Sequence, residues 1–288
     1  MITDAYSDEQ FRVLDLHHHL GPDEGARATD PRSTTAVFPE RVAIMDRFGV
    51  DQAVLMPPNS ASGGPSMTPA NDHVAAAVRR DPARFPAGVA RIDLAEGLTA
   101  ARAELHRAVS ELGLRGAVWH HRFQGVFVDH PDMPELARIC GTLGIPAFIH
   151  VIEGSGLESP WRLERILESA PDVAVVALDA FSSWDRAGEM TAIAGRHDNL
   201  WCELGALSAV AGNHVERYVE SVGPERLLLG TDLFMSGGRS MTYQVPFAVL
   251  EVVHLNLDAS SKRAILYDNA ARLLGLQAST RLENAAPR

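Results

Sequence analysis

VLDLHHHLGP, residues 13–22, places three histidines in a row at the end of an alternating apolar segment. In a β-strand, successive side chains point to opposite faces. That period puts Asp15, His17 and His19 on one face and His18 on the other. His17 and His19 can then converge on one ion as neutral imidazoles, while His18 packs or hydrogen-bonds outside. The Gly-Pro that follows ends the strand.

The same design recurs along the chain. Short apolar runs, FPAGVARI, LRGAVWHH, IPAFIHV, VAVVALDAF, NLWCELGA and RLLLGTDLF among them, are bounded by Gly, Pro, Asn or Asp. Such runs suit strands buried on both faces. Between them lie helical patterns such as PERVAIMDRFG, ANDHVAAAVRRDP, LTAARAELHRAVSELG and MPELARICGTLG, the last two ending in Gly, a helix stop. Eight strands alternating with helices predict a (β/α)8 TIM barrel. A doubly wound sheet is the rival, and it would show a Gly-rich phosphate loop after the first strand, which HHHLGPDEG is not. The prediction is one domain over 1–288, with the barrel from about 11 to 276 and a frayed tail at 277–288. The Pro/Gly/Ser-rich stretch 58–72 reads as a loop that is either a lid or plain surface.

Composition narrows the function. The 288 residues carry a formal net charge of -11, against a nucleic-acid or anionic-membrane partner. No apolar run approaches a membrane span and the N-terminus is not a signal peptide, so a cytoplasmic location is expected. Cys140 and Cys202 sit alone in apolar surroundings and are expected to pack. Lys262 is the only lysine, which excludes a P-loop, a mid-chain Schiff base and a lysine carbamate bridging two metals. A homodimer remains open.

The polar residues fall at the strand ends, where a barrel does its chemistry: His17 and His19, then His120, His121 and Arg122, then His150, Asp179, Glu203 and Asp232. Most follow apolar residues directly, where a buried charge is costly unless paired or metal-bound. An HxH at one strand end, with a later His and Asp, points to a metal site.

LDLHHHLG, IPAFIHV, LLLGTDLF and the C-terminal SSKRAILYDNAARLLGL resemble the amidohydrolase superfamily. They are closest to its amidohydrolase-related branch (amidohydrolase-2), typified by aminocarboxymuconate semialdehyde decarboxylase. The resemblance covers nearly the whole chain and implies a TIM barrel of the metal-dependent hydrolase type. It implies His17, His19, His150 and Asp232 as ligands of one divalent ion, with Asp232 also the base. Three imidazoles and a carboxylate suit Zn²⁺, with Mn²⁺ or Fe²⁺ as alternatives. Strand six departs from the pattern: Asp179 stands where members carry a histidine, and a proton-carrying role is expected for it. The leading expectation is hydrolysis of an ester, lactone or amide of a small carboxylated molecule. A nonoxidative decarboxylase, and a ligand-binding barrel with impaired chemistry, are the alternatives. Arg122 is expected to grip the substrate carboxylate as a fork. His121, Trp119 and Glu203 are expected to contact substrate too, with Phe181 and Trp184 as further aromatic walls or as core.

Overall fold

The computed structural model describes residues 2–3, 10–20, 37–57, 66–207, 212–233 and 247–276. Eight parallel strands form a ring: β1 (Leu14–His19), β2 (Gln52–Met56), β3 (Ala87–Gly88, resuming as Ala90–Arg91), β4 (Ala117–Trp119), β5 (Ala147–His150), β6 (Val175–Leu178), β7 (Leu200–Glu203) and β8 (Leu227–Leu228). Each pairs in parallel with the next. The ring closes where Leu16 N donates to Leu229 O at 3.0 Å and His19 N donates to Leu233 O at 2.9 Å. This is the (β/α)8 barrel that the alternation predicts.

Strand alternation sorts the apolar side chains into two layers. Leu14, Leu16, Val54, Met56, Val118, Phe148, Val176, Leu178 and Leu228 point inward and fill the barrel. Val13, Ala53, Leu55, Ala117, Trp119, Ile149, Ala177 and Cys202 point outward into the layer beneath the helices. Each apolar run serves both layers, which is why these strands read as continuous hydrophobic segments. Both cysteines are buried and unpaired.

The flanking helices include α1 (Val37–Arg47), α2 (Met67–Arg80), α3 (Leu98–Ser110), α4 (Met133–Leu143), α5 (Glu164–Ser169), α6 (Trp184–Ala194), α7 (Gly212–Val222) and α8 (Phe247–His254). Helix α4 stops at Gly144, which takes the left-handed conformation (φ 69°) that closes the last turn. Helix α2 starts earlier than the sequence suggests, absorbing Met67–Pro69 from the Pro/Gly/Ser-rich stretch. Pro69 is tolerated because the first helical turn needs no N–H from it. Residues 58–65 of that stretch, and the tail 277–288, lie outside the described residues.

Ala259–Arg263, a wide turn at Ala264–Asp268, and Asn269–Leu273 finish the chain's helical part. Tyr267, Ala270 and Leu274 join the inner apolar cluster and plug the barrel floor. The sole lysine caps a helix here: buried Lys262 donates from Nζ to Val253 O at 2.7 Å. Among the described residues no helix is long and apolar enough to cross a membrane.

Candidate active site

The C-terminal ends of the strands bring four predicted residues together. His17 Nε2 lies 3.0 Å from His19 Nε2. Asp232 Oδ1 lies 3.1 Å from His19 Nε2 and 3.5 Å from His17 Nε2. His150 stands edge-on to His17 with ring centroids 5.3 Å apart. Donor atoms of His17, His19 and His150 all fall within 4.8 Å of one another.

The outer nitrogens are all engaged. His17 Nδ1 meets Glu203 Oε2 at 3.3 Å, His19 Nδ1 meets Pro57 O at 3.2 Å, and His150 Nδ1 meets Trp119 O at 3.0 Å. An oxygen acceptor at Nδ1 places the proton there, leaving each Nε2 with a lone pair. Two lone pairs 3.0 Å apart repel unless a proton or a cation lies between them. The donor set therefore fits one divalent ion, held by three Nε2 atoms and the Asp232 carboxylate.

The strand-one alternation holds for His17 and His19 and fails for Asp15. The ladder to β2 shifts register between Asp15 and His18, and this bulge inverts the parity of the strand. Asp15 thus shares a side with His18, accepting from His18 Nδ1 at 2.8 Å. It also takes Thr231 N at 3.0 Å and Thr231 Oγ1 at 2.6 Å. It ties the first strand to the last instead of joining the His17–His19 cluster.

Glu203 needs a correction too. It was expected to touch substrate, but its carboxylate is fully buried and accepts from the Asp179 backbone N–H at 3.0 Å as well as facing His17. It fixes the His17 ring from behind, as an orienting partner would if His17 held an ion. Two glycines permit this: a Cβ at Gly230 would overlap Glu203 Oε1 and stand 2.7 Å from His17 Cβ. One at Gly205 would stand 2.7 Å from Glu203 Oε1 and 2.8 Å from Asp179 Oδ1. Asp179 comes to the same outer side of His17, its Oδ1 3.9 Å from Nδ1 and without a hydrogen-bond partner. Asp179 (φ 59°) and Asp232 (φ 54°) both hold left-handed backbone that few residues other than glycine adopt, strain that concentrates at functional sites.

The electrostatics divide accordingly. Without a cation, burial opposes a charge on His17, yet Glu203, then Asp232 and Asp179, outweigh it and raise its pKa to about 10, so a proton takes the place between the two Nε2 atoms that a bound cation would fill. Burial would also lift Asp232, but the His19 hydrogen bond and the His17 and His19 charges bring it below the ordinary value. Asp179 is pushed well above the carboxylate range, first by burial and then by Asp232 and Glu203, despite His17. Burial, followed by neighbouring positive charge, holds His120 and His150 well below 6.5.

Around β4, alternation decides three further residues. Val118 points in, so Trp119 points out and its ring packs in the outer core, as does Phe181; neither walls a substrate. Trp184 is exposed and stands edge-on to His214, with centroids 4.5 Å apart. His120 turns inward and stacks on His150 at 3.6 Å between centroids, also 5.8 Å from His19. The sequence shows it at a strand end; its role comes only from the stack. His121 opens a one-turn helix, His121–Gln124, and is sealed: burial and then His130 lower its pKa to about 3. Its position corrects the expectation that it contacts substrate.

Arg122 stays at the rim, its side chain 25% exposed and its guanidinium 4.7 Å over the Phe123 ring. Its positive field reaches His120, His150, Asp179 and Asp232. Its backbone N donates to buried Glu158 Oε1 at 3.0 Å, and Nε lies 3.8 Å from Glu158 Oε2, outside bonding distance.

The family model described as Amidohydrolase matches residues 14–276. No curated protein matches the chain. Solved structures with the same fold include a TIM-barrel protein from Bordetella bronchiseptica (21% identity, TM-score 0.71, covering 92% of this chain and 99% of that one). The 2,6-dihydroxybenzoate decarboxylase from Rhizobium is another (16%, TM-score 0.69, 93% and 100%). A third is the 5-carboxyvanillate decarboxylase from Novosphingobium aromaticivorans, complexed with manganese and 4-hydroxy-3-methoxy-5-nitrobenzoic acid (17%, TM-score 0.68, 92% and 96%). At these identities the likeness establishes the barrel fold.

Proposed function

We propose that this chain, which belongs to the amidohydrolase family, is a metal-dependent enzyme that removes carbon dioxide from a small carboxylate without oxidation. One observation carries the metal part: all three histidines have their Nδ1 atoms turned to oxygen acceptors, their donor atoms lie within 4.8 Å of one another, and Asp232 Oδ1 lies 3.1 Å from His19 Nε2. A divalent ion bound there supplies Lewis acidity toward a substrate oxygen. Zn²⁺ suits the donors, and manganese in a decarboxylase of the same fold makes Mn²⁺ an equal choice.

The carboxylate part is supported by Arg122, whose cation faces the site from the rim. A guanidinium fork can hold a carboxylate at two oxygens and set the bond to be broken above the ligand cluster. Loss of carbon dioxide leaves an electron pair on carbon that must be protonated; Asp232, ionised beside His19 Nε2, would take a proton from water and pass it to that carbon. The decarboxylases among the structural neighbours add weight to this reading over hydrolysis.

Hydrolysis is the second reading. Asp232, a carboxylate within 3.5 Å of two ligand nitrogens, could equally take a proton from water attacking a carbonyl. Carbon dioxide release from a panel of hydroxylated aryl and unsaturated carboxylates, with the protein loaded with Zn²⁺ or Mn²⁺, separates the two. The expected result is metal-dependent release, with KM raised about tenfold or more by Arg122→Lys, because an ammonium lacks the fork. Turnover of esters or lactones with no carbon dioxide from any carboxylate would overturn the proposal.

A further inference from the structure

Nothing in the reading above uses His120, yet its surroundings are specific. The ring is 3% exposed and lies flat on His150. Its Nδ1 is buried and has no hydrogen-bond partner among the described residues. Its Nε2 makes no hydrogen bond among the described residues either, but is not among the sealed orphan atoms, so it is the more accessible of the two nitrogens. A proton on Nδ1 would be a buried donor with no acceptor, the costlier kind of orphan. The proton therefore belongs on Nε2. His150, clamped by Trp119 O, fixes the plane of the ring from beneath, and Phe123 stands 5.6 Å away at its other flank.

We infer that His120 is a specificity residue that presents an Nε2–H donor to a substrate oxygen adjacent to the carboxylate held by Arg122. That oxygen and the carboxylate would be met by two donors separated by one residue, His120 from the strand end and Arg122 from the turn after it. This rests on reading the mouth as a carboxylate site, and it adds the group that distinguishes one carboxylate from another.

The test is binding to protein loaded with Mn²⁺, read by titration calorimetry with 2-hydroxybenzoate and benzoate as probes. The wild type should hold 2-hydroxybenzoate about tenfold more tightly than benzoate, the worth of one satisfied hydrogen bond. His120→Phe keeps a flat ring on His150 but has no donor; its preference should fall to about one, with metal content and benzoate affinity unchanged. If that variant does not fold, His120→Leu carries the same expectation. His120→Gln, which retains an amide N–H, should keep part of the preference. A preference that survives in the Phe or Leu variant overturns the inference. So does loss of the ion in these variants, which would make His120 a ligand, or a wild type without preference. Preference without carbon dioxide release from any carboxylate would refute only the decarboxylase reading, whereas release without preference would refute only the role of His120.

Discussion

The two ends of the barrel treat buried polar groups in opposite ways. At the floor most are satisfied, Arg12 Nε being an exception. Asn269 donates from Nδ2 to Pro224 O at 2.7 Å and Leu227 O at 2.8 Å. Arg115 caps the C-terminal helical stretch at Leu274 O and Gly275 O. Tyr267 Oη accepts from Arg12 and donates to Gln52 Oε1. At the mouth, His120 Nδ1, Asp179 Oδ1, Glu203 Oε1 and Glu158 Oε2 are buried without a partner among the described residues. Buried orphans are destabilising by about 1–3 kcal/mol each, and among the described residues the unpartnered buried carboxylate oxygens, on Glu158, Asp179 and Glu203, all lie at the mouth, so that end is kept for something other than stability. In a barrel that division separates stability from chemistry.

The largest effect that could break this contrast comes from the strand-one histidines. His17→Ala should lose the divalent ion, about one per chain falling to nearly none by elemental analysis, while His18→Ala keeps it and loses stability through its Asp15 hydrogen bond. An ion retained by His17→Ala would move the metal centre elsewhere. Next is Glu203→Gln, isosteric and behind the ligand. Metal affinity should fall about 10–100-fold, the usual cost of losing an orienting partner, with the fold intact by circular dichroism. An unchanged affinity would make Glu203 purely structural.

A floor substitution should do the reverse. Asn269→Ala takes one donor from Leu227 O and one from Pro224 O, which keeps only Leu227 N, and should lower stability by about 1–3 kcal/mol, with kcat and metal content unchanged. A change in turnover there would erase the distinction between the ends. The smallest effect is a pH dependence. Burial raises the Glu158 carboxyl from 4.5 to about 7. The folded state then binds more protons than the unfolded state between those values, so this group's contribution to stability falls as pH rises from about 4.5 to 7. Glu158→Gln should flatten that part of a Tm-against-pH curve, and an unaltered slope would show that Glu158 is ionised throughout.

The local pattern determined a good deal by itself. Apolar runs at regular spacing identify buried parallel strands because each run must fill the barrel and the outer layer together. His17 and His19 meet because two residues apart on a strand is one face, and His150 and Asp232 stand out because each follows an apolar run directly. What tertiary structure alone decided lies between strands. The bulge after Asp15 inverts parity and sends Asp15 to Thr231, a partner 216 residues away. Glu203 turns toward His17 because closing the ring brings β7 within reach of β1, and Gly205 and Gly230 leave the space for it. Trp119 faces outward and His120 inward because β4's inward phase is set at Val118, and the His120–His150 stack exists only because β4 and β5 are neighbours in register. A single strand carries its own alternation, but which side chains meet across strands depends on register and closure, and these are fixed only when the whole barrel packs.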